Sequence, residues 1–184
     1  MKVLVSGFAP FDGAHHNPSQ ELVRWLETKN FDFELVTTVL PVAFAKAFEE
    51  LRSIIDWERP HLVVLTGQAA NREVLTVERL GINWQDARIP DNAGNQPKNE
   101  LIKPKGPDAV FTRWPLAELV EHLANSGHAL KISTNAGEYV CNEVLYRTLV
   151  AYPRLPVGFF HLRDESMFEA LEQAIRYLAL HIKT

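Results

Sequence analysis

Five short stretches of the chain are almost continuously apolar, β-branched or aromatic, and most are bounded by Gly, Pro or a charged residue: KVLVSG (2–7), FELVTTVL (33–40), HLVVLTG (61–67), HALKIS (128–133) and PVGFFHL (156–162). Unbroken runs of this length suit strands covered on both faces, whereas strict alternation marks a sheet with one wet face. Between them, apolar positions recur at three- and four-residue spacing, which predicts helices. NPSQELVRWLETK (17–29) opens with Asn at a cap, Pro at the first helical position and Gln three residues after the cap. AFAKAFEELRSIID (43–56) ends before Pro60, and WPLAELVEHLANSG (114–127) stops on a terminal Gly. YVCNEVLYRTLVAY (139–152) and SMFEALEQAIRYLALHI (166–182) continue the pattern.

Strands alternating with helices predict an α/β fold: a three-layer α/β/α sandwich with a mostly parallel, mixed central sheet. The rhythm fails over residues 74–108, which are rich in Asn, Asp, Gly and Pro and alternate only at their start. A long irregular segment inside a compact domain is usually functional or disordered. The mixture of charged and apolar residues in ARIPDN (87–92) favours function. No repeat or linker divides the chain, so residues 1–184 read as a single domain.

Composition narrows the function classes. A net charge of −4, without a run of like charges, offers no general attraction to phosphate backbones or anionic lipid. Nucleic-acid and membrane partners are therefore not expected. The apolar start is too short for a signal peptide, and no apolar run reaches transmembrane length. A single cysteine cannot close a disulfide within the chain, which suits a reducing compartment, so a cytoplasmic location is expected.

That cysteine, Cys141, stands where a Gly-containing turn runs into a predicted helix. In the first helical turn, unpaired N–H groups and the dipole would favour a thiolate and could hold an oxyanion. Free cysteines are also among the most buried residues, so position alone leaves core packing open. A nucleophile needs a base, and the base an orienting partner. His161 closes a predicted strand, where ligands gather in open α/β sheets, and His15 and His16 lie in a loop after another. The histidine pair lacks the companion spacing of a metal site, and no metal or other cofactor is expected. Among carboxylates Glu78 stands out, just beyond the third strand and its loop; a carboxylate there could fix an imidazole tautomer.

Set in order, these pieces resemble the pyrrolidone-carboxylate peptidase (pyroglutamyl peptidase I) family of cysteine peptidases. The resemblance rests on VLVSGFAPFDGAHHNPSQELV (3–23), GQAANREVLTVERLGIN (67–83), DARIPDNAGNQP (86–97), STNAGEYVCNEVLY (133–146) and VGFFHL (157–162). It implies a Cys141–His161–Glu78 triad, an oxyanion site formed by the Cys141 N–H with help from Arg88, and removal of an N-terminal pyroglutamyl residue from a peptide. Phe8 and Phe11 would sandwich the flat lactam, with Gln68 and Asn17 as hydrogen-bonding candidates; Asn17 is equally a helix cap. The family also suggests a homo-oligomer. Ala70-Asn71 stands where the family usually has Gly-Gly, and the segment after His161 is shortened. Two other readings accompany this one: a cysteine amidohydrolase for another small amide, and a lactam-binding homologue without turnover.

Overall fold

A computed structural model describes residues 1–182. In chain order the elements are β1 (Lys2–Phe8), α1 (Pro18–Glu27), β2 (Glu34–Leu40), α2 (Lys46–Glu58), β3 (Leu62–Gln68), β4 (Leu75–Glu78), β5 (Leu80–Ile82), β6 (Ala109–Phe111), α3 (Leu116–Asn125), β7 (Leu130–Ser133), α4 (Val140–Ala151), β8 (Val157–Leu162) and α5 (Phe168–His181). Six strands form one sheet in the order β2-β1-β3-β8-β4-β7, and β5 and β6 form a separate antiparallel ribbon.

The unbroken apolar runs are explained by burial on both faces. Val3 and Val5 of β1 and Leu62 and Val64 of β3 enter a core with Leu22 and Leu26 of α1, Leu119 of α3 and Leu171 of α5. Their neighbours Leu4, Val63 and Leu65 face the other way, onto Leu51 of α2 and Val144 and Leu149 of α4. Successive strand side chains alternate faces, so a strand between two helical layers must be apolar at nearly every position. The result is the expected three-layer sandwich.

Local signals set most boundaries. Asn17 caps α1, accepting from the Ser19 N–H at 3.0 Å, with Pro18 at the first helical position. The start of α2 moves to Lys46 because Ala45 has φ 60°, which no right-handed helix tolerates. Its end is set by left-handed Arg59 before Pro60.

The segment predicted to be irregular contains an unforeseen sheet strand. β4 runs parallel to β7 and antiparallel to β8, so it makes the sheet mixed. At four residues it was too short for periodicity to separate from its surroundings. The rest of the segment is tied down by the buried Asp91 carboxylate, which accepts from the N–H groups of Phe44 (2.7 Å), Ala93 (2.8 Å) and Asn95 (2.8 Å). Burial opposes ionisation of Asp91, but the Asn95 side chain and these N–H groups hold its carboxyl below the usual range. No helix among the described residues is long and apolar enough to cross a membrane.

Sheet and helix approach closely at Gly7: a β-carbon there would lie 2.1 Å from the Ser19 carbonyl oxygen. Because the obstacle is backbone, α1 must shift to admit it. Gly7→Ala is expected to destabilise the protein by about 2 kcal/mol or more, read by urea denaturation; an unchanged midpoint would mean that α1 moves freely.

Candidate active site

The C-terminal ends of β3 and β8 lie side by side, the region where open α/β sheets present ligand sites. A cavity of about 310 Å³ opens there, bordered by Phe8, Phe11, Gln68, Tyr139, Cys141 and His161. Elements distant in sequence supply these walls: β1 and its following loop, the end of β3, the start of α4, and β8.

Cys141 is the second residue of α4, inside the first turn as expected. Tyr139 at the cap position makes no side-chain capping bond, which leaves the first-turn N–H groups without that partner. The sulfur packs on Gly67, where a β-carbon would sit 2.8 Å from Cys141 Sγ and 2.8 Å from Phe159 Cζ. Gly67 is paired with His161 in the β3–β8 ladder. One bare glycine therefore lies under the thiol and beside the histidine's strand position, and any larger residue would displace the sulfur.

His161 and Glu78 meet through the antiparallel register. Thr76 lies opposite His161 and Glu78 opposite Phe159, so the carboxylate is a diagonal neighbour two residues deeper in the sheet. Its Oε1 is 2.8 Å from His161 Nδ1, with Glu78 fully buried and His161 4 % exposed. A carboxylate acceptor makes Nδ1 the protonated nitrogen and leaves Nε2 with a lone pair. Arg72 stands behind the pair: Nη2 is 3.6 Å from Glu78 Oε1, 3.2 Å from Ser133 Oγ and 3.0 Å from the Asn135 carbonyl.

Burial pushes the Glu78 carboxyl up, but the hydrogen bond and charge of His161, the Ser133 hydroxyl and the Arg72 guanidinium outweigh it. The net direction is below the ordinary 4.5, so Glu78 is a carboxylate at neutral pH. Cys141 goes the other way. Although the residue keeps some exposure, the crowding of protein atoms about its thiol pushes it up to about 12, and the Glu78 charge adds to this against the help of its own N–H. The helix terminus is where the sequence places it, but its pull on a thiolate is overcome by desolvation. The resting sulfur is a thiol.

The other expected residues divide. Phe8, Phe11 and Gln68 line the cavity, and Gln68 makes no side-chain hydrogen bond among the described residues. Asn17 also borders it, but its Oδ1 is taken by the Ser19 N–H (3.0 Å) and hydroxyl (2.8 Å), and Nδ2 donates to the Ala9 carbonyl at 3.1 Å. The cap takes most of its capacity, leaving one N–H for a ligand. Arg88 does not line the cavity. It borders a second hollow with Asp86 and Glu138, which shares its Phe11 and Tyr139 walls with the first. Its loop is anchored through Asp91, and the Tyr139 hydroxyl donates to the Pro90 carbonyl at 3.1 Å. His15 and His16 are exposed and line no part of the cavity.

Arg72, Tyr139 and Val42 are among the lining residues that were not foreseen. Arg72 could have been suspected from its place in the loop after β3, and Tyr139 from its position two residues before Cys141. Val42 carries no local signal; it arrives from the β2–α2 connection only because the chain folds back.

Comparison with known proteins agrees with this geometry. A family profile described as "Pyroglutamyl peptidase" matches residues 1–164. A pyrrolidone-carboxylate peptidase of Levilactobacillus brevis is 40 % identical over 166 residues, covering 88 % of this chain and 81 % of that protein. One from Thermosipho africanus is 39 % identical over the same shares. Among solved structures, pyroglutamyl peptidase I of Bacillus amyloliquefaciens superposes with a TM-score of 0.91 at 33 % identity, over 98 % of this chain and 97 % of that one. A pyrrolidone carboxyl peptidase structure from Pyrococcus furiosus gives 0.88 at 32 % identity over 98 % and 99 %. From the shared architecture and these identities together, the chain belongs to the pyroglutamyl peptidase family.

Proposed function

We propose that this chain is a cysteine peptidase that removes an N-terminal pyroglutamyl residue from peptides, acting as one domain with Cys141 as nucleophile. The observation carrying this reading is the buried His161–Glu78 hydrogen bond of 2.8 Å beneath a cavity that also exposes Cys141.

The chemistry follows from the protonation states. Because Cys141 rests as a thiol, His161 Nε2 takes its proton as Sγ attacks the carbonyl carbon that joins pyroglutamate to the next residue. The negative charge on that oxygen is met by N–H groups of the first turn of α4. Glu78 stabilises the imidazolium and holds its orientation. As the C–N bond breaks, the imidazolium returns its proton to the leaving amine, and a thioester remains. Water, deprotonated by Nε2, then attacks the thioester, releasing pyroglutamate and restoring the thiol.

Substrate choice follows from the walls. Phe8, Phe11, Val42 and Tyr139 give the flat ring apolar contact, and Gln68 is free to pair with the lactam amide. A free α-amine would bring an uncompensated charge into this space and be rejected. The reading extends to a cytoplasmic homo-oligomer, without nucleic-acid or membrane partners and with a mechanism that uses only the protein's own groups.

Assaying pyroglutamyl, prolyl and free alanyl p-nitroanilides side by side tests this. Turnover is expected of the first alone; equal cleavage of the prolyl amide would sink the lactam assignment.

A further inference from the structure

The second hollow, also about 310 Å³, shares its Phe11 and Tyr139 walls with the catalytic cavity and is completed by Asp86, Arg88, Ile89 and Glu138. We propose that it receives the residue directly after the pyroglutamyl group and selects a basic side chain, Lys or Arg, there. This rests on the peptidase reading above, because it places the scissile bond at Cys141.

Reach favours the assignment. Glu138 lies three residues before Cys141, so their α-carbons are at most roughly 10 Å apart even in an extended chain. The chain between them is extended at Tyr139 (φ −115°, ψ −166°) as it enters α4. With the lactam between the aromatic walls and its carbonyl at the thiol, the next side chain is within reach of this hollow.

Charge favours a cation. Glu138 has no ion pair among the described residues, while Asp86 has Lys98 at 3.6 Å. Among the residues that line the hollow, two carboxylates, Asp86 and Glu138, therefore stand against one guanidinium, Arg88. Ile89, Phe11 and Tyr139 would cover the aliphatic stem of a lysine or arginine, and the two rings offer faces to its charged end. Glu138 and Arg88 are both exposed, so solvent screening keeps the selectivity modest.

The test uses the full chain and three peptides, pGlu-Lys-Ala, pGlu-Ala-Ala and pGlu-Glu-Ala. At low salt, kcat/KM is expected to be about three- to tenfold higher for the Lys peptide than for the Glu peptide, with the gap shrinking at high salt. Glu138→Gln should lower this ratio and Glu138→Lys should bring it to one or below. Each ratio is measured within one protein preparation, so differences in folded fraction cancel. Equal wild-type rates for the Lys and Glu peptides, or a wild-type ratio retained in Glu138→Lys, would overturn the subsite. Failure to cleave any of the three, the neutral one included, would instead overturn the peptidase reading on which it rests.

Discussion

Cys141→Ala is expected to lower turnover of a pyroglutamyl p-nitroanilide by about 10⁴-fold or more. The expectation is large because, in the proposed mechanism, the thiol forms the acyl intermediate. Its sulfur packs on Gly67, the ladder partner of His161, and it sits in the first turn of α4. The substitution removes one atom from a partly exposed position, so the fold should survive, and an unchanged thermal midpoint serves as the control. Substantial activity in the alanine variant would remove Cys141 from the mechanism. Alkylation adds a view of the resting state. With its thiol pushed up to about 12, free Cys141 should react slowly with iodoacetamide at neutral pH and faster as the pH rises. High reactivity is therefore expected only when His161 can take the proton during attack.

Glu78→Gln is expected to lower kcat/KM by about 10³-fold, since the carboxylate acts through its charge. If the amide turns its NH₂ toward His161, the Nδ1 lone pair accepts it and Nε2 carries the hydrogen, the wrong form for a base. If it turns its oxygen inward, the tautomer is kept but the charge that stabilises the imidazolium is gone. Arg72, 3.6 Å from that oxygen, is then a neighbouring cation without its counterion, and it opposes protonation of the ring. Either orientation slows the proton transfer. A variant near wild-type efficiency would show that Glu78 only fills space.

The same carboxylate has a signature in acid. Its pKa is depressed in the folded protein, so its contribution to stability is fully present above the ordinary 4.5 and is lost as pH falls through the lower folded value. The acid limb due to Glu78 therefore lies below pH 4.5, and acid titration of the Gln variant should lack it.

Much of the architecture was legible because the core follows simple periodicities. Leu62 to Leu65 could be read as a doubly covered strand because both faces of β3 meet helices, and the Asn17-Pro18 start of α1 because capping is a local hydrogen-bonding problem. β4 escaped because four residues carry too little pattern, and because its antiparallel pairing with β8 depends on a partner 83 residues away. That missed strand is also what sets Glu78 beneath His161. The sequence could rank the two residues as candidates in their classes, and resemblance could link them, but neither supplies the diagonal register that makes the 2.8 Å bond.

By itself, then, the sequence determined the layered α/β fold and the helix terminus that carries Cys141, since each depends on residues close together in the chain. Cys141, His161 and Glu78 stand far apart in it, and it could rank them only as candidates. The tertiary structure decided what long-range packing controls. It commits most of Asn17 to its cap and places Arg88 at a second hollow that shares the Phe11 and Tyr139 walls. It also sets Arg72 behind the Glu78–His161 pair, and crowds protein atoms about the partly exposed Cys141 so that desolvation pushes its thiol up in spite of the helix terminus.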